Sequence, residues 1–252
     1  MNPTAATQAP TIRRRDVIAA EITKIITHPA TTLMLAITLI ANMFLALIDA
    51  SGVLFFTGDG VVPARLSSFG IVMLAPLYAF LVIPVWAAAT EYHGAQLRMS
   101  LVATPRRAAF VLAKLAALLL VCVVAAAIAV VPARLLIGTA FGVPPAELVL
   151  NCAQWLGVYV LMSLIAFGLA GILRNTVAPL GILIALPIVV ATGILQWPEG
   201  IQFLPDQASL SLVGTPAYDV TWLPPGVAAL TLLGWGMVAL TGSAIAVTRR
   251  DA

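Results

Sequence analysis

Six stretches of this chain are long, apolar and nearly free of charge: Ala30–Ile48, Phe69–Ala89, Ala108–Val131, Leu148–Leu173, Val177–Leu195 and Gly226–Val247. A helix needs about 20 such residues to cross about 30 Å of hydrocarbon. The chain as a whole is 62% hydrophobic and 9% charged over 252 residues, against roughly 45–50% and 25% in soluble domains. A water-soluble core of this size cannot hide that much apolar surface. The sequence therefore predicts an all-α, polytopic membrane protein with six transmembrane helices in a single domain, residues 1–252. Pro76, Pro84, Pro179 and Pro187 fall inside the second and fifth windows and predict kinks there, which neighbouring groups make tolerable in a membrane. Lys114, near one end of the third window, is expected to snorkel to the interface.

Basic residues orient the spans. With the N-terminus in the cytoplasm, Arg13, Arg14, Arg15, Lys24, Arg98, Arg106, Arg107, Lys114, Arg174, Arg249 and Arg250 lie inside, which is 11 of 13. Only Arg65 and Arg134 lie outside, and the bias of Lys and Arg toward the cytoplasm selects this orientation. Both termini are then cytoplasmic. The opening "MNPTAATQAP" is polar and lacks a basic lead into a short apolar run, so the first span is expected to be retained rather than cleaved.

The segments between spans are unequal. "IRRRDVIAAEITKIITHPA" (12–30) places Ile18, Ile22, Ile25 and Ile26 on one helical face, with Arg13, Asp16, Glu21 and Lys24 mostly on the other. It predicts an amphipathic helix over 12–28, lying in the inner headgroup layer or serving as a topological anchor. The last outer connection, 196–225, holds five prolines, with Trp197 and Trp222 at its flanks, where they suit an aromatic belt. Its middle, Asp206 to Leu212, predicts a short helix at the surface or dipping into it; an irregular loop is the other reading.

Polarity concentrates in "TEYHGAQLRMSLVATPRRAAFVLAK" (90–114). A turn between antiparallel helices needs only about 2–8 residues, and residues 90–107 are many more. Leu97, Leu101 and Val102 alternate at helical spacing with Gln96, Arg98 and Ser100, and Thr104-Pro105 closes the segment. A short amphipathic helix displayed beyond the membrane predicts a partner whose groove receives it.

These residues resemble the signature of ABC-2 type transporter permeases, the transmembrane subunits of ABC exporters. The similarity is carried by Glu91, Tyr92, Gly94, Leu97, Arg98, Leu101, Pro105, Arg106, Arg107, Leu112 and Lys114, with Ala95-Gln96 departing from the usual Thr-hydrophobe pair. "LPDQASLSL" (204–212) resembles a second family mark in the final outer loop. The resemblance implies an N-terminal elbow helix, six spans, a cytoplasmic coupling helix and short helices in the last outer loop. It implies two paired permease subunits in the cell (inner, cytoplasmic) membrane and separate ABC ATPase subunits, which bind ATP and Mg. The ATPase-coupling interface would comprise Glu91, Tyr92, Gly94, Gln96, Leu97, Arg98 and Leu101. Within it Arg98 makes polar contact, Leu97 and Leu101 act as apolar anchors, and Glu91 pairs with a basic residue of the elbow or the ATPase.

This chain itself is not expected to be an enzyme or to bind a cofactor or metal. A phosphate-cradling loop needs Gly-Lys-[Ser/Thr], yet the lysines Lys24 and Lys114 follow Thr23 and Ala113. Thirteen scattered basic residues argue against a nucleic-acid partner. Cys122 and Cys152 lie in apolar segments without ligand spacing. Both histidines, His28 and His93, sit outside the spans, so an intramembrane serine protease has no base. An ion-coupled transporter usually carries ionisable groups at mid-membrane, whereas the spans offer neutral ones such as Asn42, Thr90, Asn151, Gln154 and Ser163. That reading and a non-transporting scaffold are the alternatives. Apolar spans suit a hydrophobic or amphipathic cargo (a drug, antibiotic, lipid or peptide). Asn42, Phe44, Met162 and Ser163 are the candidates to line its path, packing being the other reading of each.

Overall fold

The computed structural model describes residues 13–55, 63–90, 107–195, 197–215 and 222–250. The first helix, α1 (Arg14–Thr27), starts where the Asp16 carboxylate accepts from the Arg13 backbone N–H at 3.2 Å. Pro29 ends it and begins α2 (Pro29–Ala50), because proline's missing N–H costs nothing in a first turn. His28 lies between them as the α2 cap, its Nδ1 accepting from Ala30 N–H at 3.2 Å. After α2 come two short antiparallel strands, β1 (Leu54–Phe55) and β2 (Ala64–Arg65), with Leu54 opposite Arg65. A single 3₁₀ turn, Leu66–Ser68, leads into the next helix.

The second window forms two helices, α3 (Gly70–Phe80) and α4 (Val82–Ala89), broken at Leu81. Pro84 accounts for the break: it has no N–H for the Phe80 carbonyl and its ring crowds that carbonyl. The third window runs further than hydropathy suggests. α5 (Arg107–Ala140) continues through Pro132, so Arg134 belongs to a helix and not to an outer loop. α6 (Pro145–Leu173) returns and ends at Arg174, whose φ of 51° is left-handed. Asn175 Oδ1 then accepts from the N–H groups of Val177 and Ala178, starting α7 (Ala178–Ala191).

Among the described residues five segments are helical, apolar and long enough to span a membrane: Pro29–Ala50, Gly70–Ala89, Val111–Ala140, Pro145–Leu173 and Pro225–Ala246. The chain is therefore an all-α, multi-pass membrane protein. The window Val177–Leu195 yields only the 14 residues of α7, about 21 Å at 1.5 Å per residue. Gly193, at φ 66°, closes it. Two short helices follow, α8 (Pro198–Ile201) and α9 (Pro205–Val213), before the last long helix α10 (Pro225–Arg250).

α9 is the short helix expected from Asp206 to Leu212, and it does not lie on the surface. Its residues are buried with one exception, and it packs against α10, α6, α7 and α3. A side chain on Gly70 would strike the Thr215 carbonyl at 2.2 Å, so α3 can begin against the end of α9 only with glycine there. The Trp235 indole N–H donates to the Phe203 carbonyl at 2.8 Å and ties α10 to the connection between α8 and α9.

α6 is the central helix, touching α10, α5, α4, α9 and α7. It turns Trp155, Tyr159, Met162, Ile165 and Ala166 inward. Toward α10 it presents small residues. A Cβ on Gly168 would lie 2.5 Å from the backbone of Ala239, and one on Gly171 would lie 2.0 Å from Ser243 Oγ. Lipid supplies no hydrophobic push between helices, so such close backbone approach carries the association. Gly168→Val is expected to lower stability by about 1–3 kcal/mol through overpacking. Gly157→Ala, with nothing within 4 Å of the added carbon, should melt like the unaltered protein. Equal melting temperatures for all three in detergent would refute this account of the α6–α10 contact.

Candidate functional site

The proposed coupling residues Glu91, Tyr92, Gly94, Gln96, Leu97, Arg98 and Leu101 lie outside the described residues. Their abutments are described. α4 ends at Ala89–Thr90 and α5 starts at Arg107, at the end of the bundle where α1 packs against α5, α2 and α4. That α1 end is distinct from the opposite, hairpin end, which carries β1 and β2.

The α1 end holds a buried ionic cluster. Glu21 is 2% exposed, and its carboxylate accepts from Lys114 Nζ at 3.1 Å and from Lys24 Nζ. Two expectations are corrected here. Glu21 is on the packed face of α1, beside Ile25 one turn on, while Ile26 is half exposed. Lys114 does not snorkel outward: at 8% exposure it reaches an acid on a neighbouring helix. An ammonium buried in an apolar helix needs such a partner. Burial pushes the Glu21 carboxyl up, but attraction and hydrogen bonds from Lys114 and Lys24 outweigh it and hold the carboxyl below its ordinary range.

The hairpin end holds a second cluster. Asp49, with no exposed surface, accepts from the Ser67 backbone N–H at 2.8 Å. Arg134 is 6% exposed and stacks its guanidinium 4.0 Å from the centre of the Trp155 ring, within electrostatic reach of Asp49. Arg65 stacks similarly over Phe141 at 3.9 Å. A charge face-on to an aromatic ring gains from the ring quadrupole. This offsets part of the cost of burying Arg134.

Between the two clusters the interior is polar but neutral. Asn42 Nδ2 donates to the Tyr159 hydroxyl and to the Thr38 carbonyl, each at 3.0 Å. Ser163 Oγ donates to the Tyr159 carbonyl at 2.7 Å. Of the candidate path residues, Asn42, Met162 and Ser163 thus lie together in the interior, each at 1% exposure. Phe44 does not join them; it is 61% exposed, because two residues along a helix rotate a side chain by about 200°. Sequence reasoning missed Glu21–Lys114 and Arg134–Trp155. A lone lysine inside an apolar helix was the signal for the first. The polar period Thr31, Thr38, Asn42, Asp49 was the signal for which face of α2 points inward.

No protein-family model matches the chain, and no curated protein matches it.

Because the Glu21 carboxyl is depressed, its contribution to docking α1 is present above the ordinary carboxylate range of about 4.3. It is lost as pH falls through the lower folded-state value. Glu21→Gln removes the buried carboxylate charge that Lys114 and Lys24 share and should loosen α1 by on the order of 3 kcal/mol. Hydrogen exchange of the α1 amides should then speed up more than a hundredfold at neutral pH, and in the unaltered protein only under acid. Unchanged exchange in the variant would show that the ion cluster does not hold α1.

Proposed function

We propose that the chain is the transmembrane subunit of an ATP-driven ABC exporter of hydrophobic or amphipathic cargo, powered by a separate ATPase subunit. In this reading it pairs with a second permease subunit in the cytoplasmic membrane, with six crossings and both termini in the cytoplasm. The observation that carries the reading is where the polar stretch is anchored. Residues 91–106 join α4 to α5 at the α1 end, where the chain also carries the helix expected as the elbow. An engine docking on that stretch would act on the start of α5 directly.

Other features agree. The chain leaves α6 at Arg174, whose side chain donates to the Ala246 carbonyl near the end of α10 at 3.4 Å. It reaches Thr215 beside Gly70, at the start of α3. On this reading α7 and the buried α9 would together supply the sixth crossing, and the beginning of α1 and the end of α10 would share the cytoplasmic end of the bundle. That end is the one where positive charge collects.

Arg98→Ala with Leu101→Ala should abolish copurification of the ATPase and uncouple export from ATP hydrolysis, with membrane insertion intact. Normal export by this double variant, at normal expression, would sink the coupling assignment.

A specific observation favours a second reading. Asp49 and Arg134 are ionisable groups buried in the bundle toward its hairpin end, and buried ionisable residues within spans mark ion pathways. Collapsing the proton gradient with an ionophore while holding ATP constant separates the two. Export that persists supports the ATP-driven reading, and export that stops supports the ion-coupled one.

A further inference from the structure

A cavity of about 580 Å³ opens between α8, the connection that follows it, and α10. Its depth follows from one hydrogen bond. The Trp235 indole N–H holds the Phe203 carbonyl, and Trp235 lies ten residues past Pro225, about 15 Å along the helix. The spanning length of α10 runs from Pro225 to Ala246, so the cavity opens well inside it.

The lining has one chemical character. Trp197, Phe203 and Trp235 supply three exposed aromatic rings. Gly200 allows the first of them to lie against α8, because a Cβ there would strike the Trp197 ring. That ring is therefore in place before any ligand arrives, which lowers the cost of binding. The Trp235 N–H is taken by Phe203, so what this indole has left to offer is its π-system. Glu199 adds an exposed carboxylate. Gln202 donates its amide to the Glu199 main-chain carbonyl at 2.9 Å, which leaves its side-chain oxygen as a second acceptor. The cavity lining holds no cationic side chain. Nearby sequence cannot supply one either, since from Asn175 to Thr248 the chain has no lysine, arginine or histidine.

This combination selects a ligand. The face of an aromatic ring is negative and attracts a cation within about 6 Å of its centre, and a carboxylate attracts the same partner. An inorganic cation would leave most of the space empty; the volume is that of a small-molecule site, about 300–1,000 Å³. A neutral hydrophobe would leave the carboxylate without a counter-charge at a depth where that is costly. An organic cation carrying alkyl or aryl groups satisfies rings, carboxylate and depth together. We propose that the cavity is a binding site for a lipophilic organic cation of the quaternary ammonium or phosphonium kind. The charge lies over the Trp197 and Trp235 rings with Glu199 as its counter-ion. The choline group of a phospholipid shares this chemistry, but headgroups stay outside the hydrocarbon, and the cavity opens within it. The site does not depend on the exporter reading; where that reading holds, it narrows the cargo to cations.

The test uses the full-length protein in a non-ionic detergent. The probe is tetraphenylphosphonium, with tetraphenylborate as an ion of nearly the same shape and opposite charge. Equilibrium dialysis should show one saturable site per chain for the phosphonium and none for the borate. Glu199→Gln keeps the size of the side chain and should weaken phosphonium binding at least tenfold, a factor equivalent to about 1.4 kcal/mol. Trp197→Leu should weaken it comparably. Both side chains are exposed, so the melting temperature should stay the same in each variant. Absence of a saturable phosphonium site, equal binding of the borate, or unchanged affinity in either variant overturns the proposal. Displacement of the phosphonium by phosphatidylcholine but not by phosphatidylglycerol in mixed micelles also overturns it, and assigns the site to a choline headgroup. Binding is read without an ATPase or transport, so its failure leaves the permease reading standing.

Discussion

A lipid solvent offers no hydrogen bonds, so a spanning helix can place polar side chains only against its neighbours. α2 obeys this along its whole length. Thr31, Thr38, Asn42 and Asp49 are its buried polar residues, joined on that face only by Ala46, while Leu33, Ile37, Ile40, Phe44 and Leu47 are exposed. It is an amphipathic helix turned inside out relative to a soluble one. Two of these inward polar groups dictate where a neighbour must be, while Thr38 bonds the Met34 carbonyl of its own helix. Asn42 requires the Tyr159 hydroxyl on α6, Asp49 requires the Ser67 amide at the start of the return toward α3, and α5 packs alongside. The rotation of α2 follows from this polar face, with Asn42 and Asp49 making its contacts to other segments.

Polar seams choose the orientation of helices but do not bring them close. That falls to small residues. α6 lies on α10 through Gly168 and Gly171, where a larger side chain would intrude on the Ala239 backbone or on the Ser243 side chain. The result is a central helix with two kinds of contact. One is a tight van der Waals seam toward α10, and the other a hydrogen-bonded and aromatic one toward α2, α5 and the end of α3, where Phe80 stands edge-on to Tyr159 at 5.2 Å. α9 fills the remaining space at the hairpin end, its Gln207 amide donating to the buried Asp206 carboxylate at 2.8 Å.

Hydropathy and length alone make five of the spans legible, because the cost of leaving lipid is summed over about 20 residues and does not depend on detail. Detail is what they miss. α5 passes Pro132 because a single lost hydrogen bond is tolerable when the helix is held on several sides, so a proline read as a boundary misplaced Arg134 into an outer loop. Glu21 read as polar, and hence as facing water, because nothing local reveals that Lys114, 93 residues away, needs it. α9 was legible as a helix from its spacing, but its burial was not. Its composition is that of a surface segment until the Gln207 amide is seen to donate to Asp206 in the interior. Phe44 and Asn42, neighbours in sequence, could be separated by helical rotation alone; the period was present in α2 and residue type obscured it.

The distribution of charge along the bundle has a physical order. Among the described residues the ionic groups of α1, α2 and α5 stand near the two ends, Glu21 with Lys24 and Lys114 at one and Asp49 with Arg134 at the other, and the interior between them carries neutral polar groups such as Asn42, Tyr159 and Ser163. Desolvating a charge costs least where water and headgroups are within reach of the helix ends, so the charges sit where they can be afforded. In the proposed exporter this placement also matters for force. Lys114 lies seven residues beyond Arg107, about 10 Å along the helix. A displacement of the 91–106 segment would therefore reach the Glu21 cluster through the first two turns or so of α5. From Glu21 the covalent path to the polar seam is short, through α1, His28 and Pro29 into α2. The ion cluster is thus the point where a push on the connection between α4 and α5 is shared with α1 and α2 rather than absorbed by α5 alone.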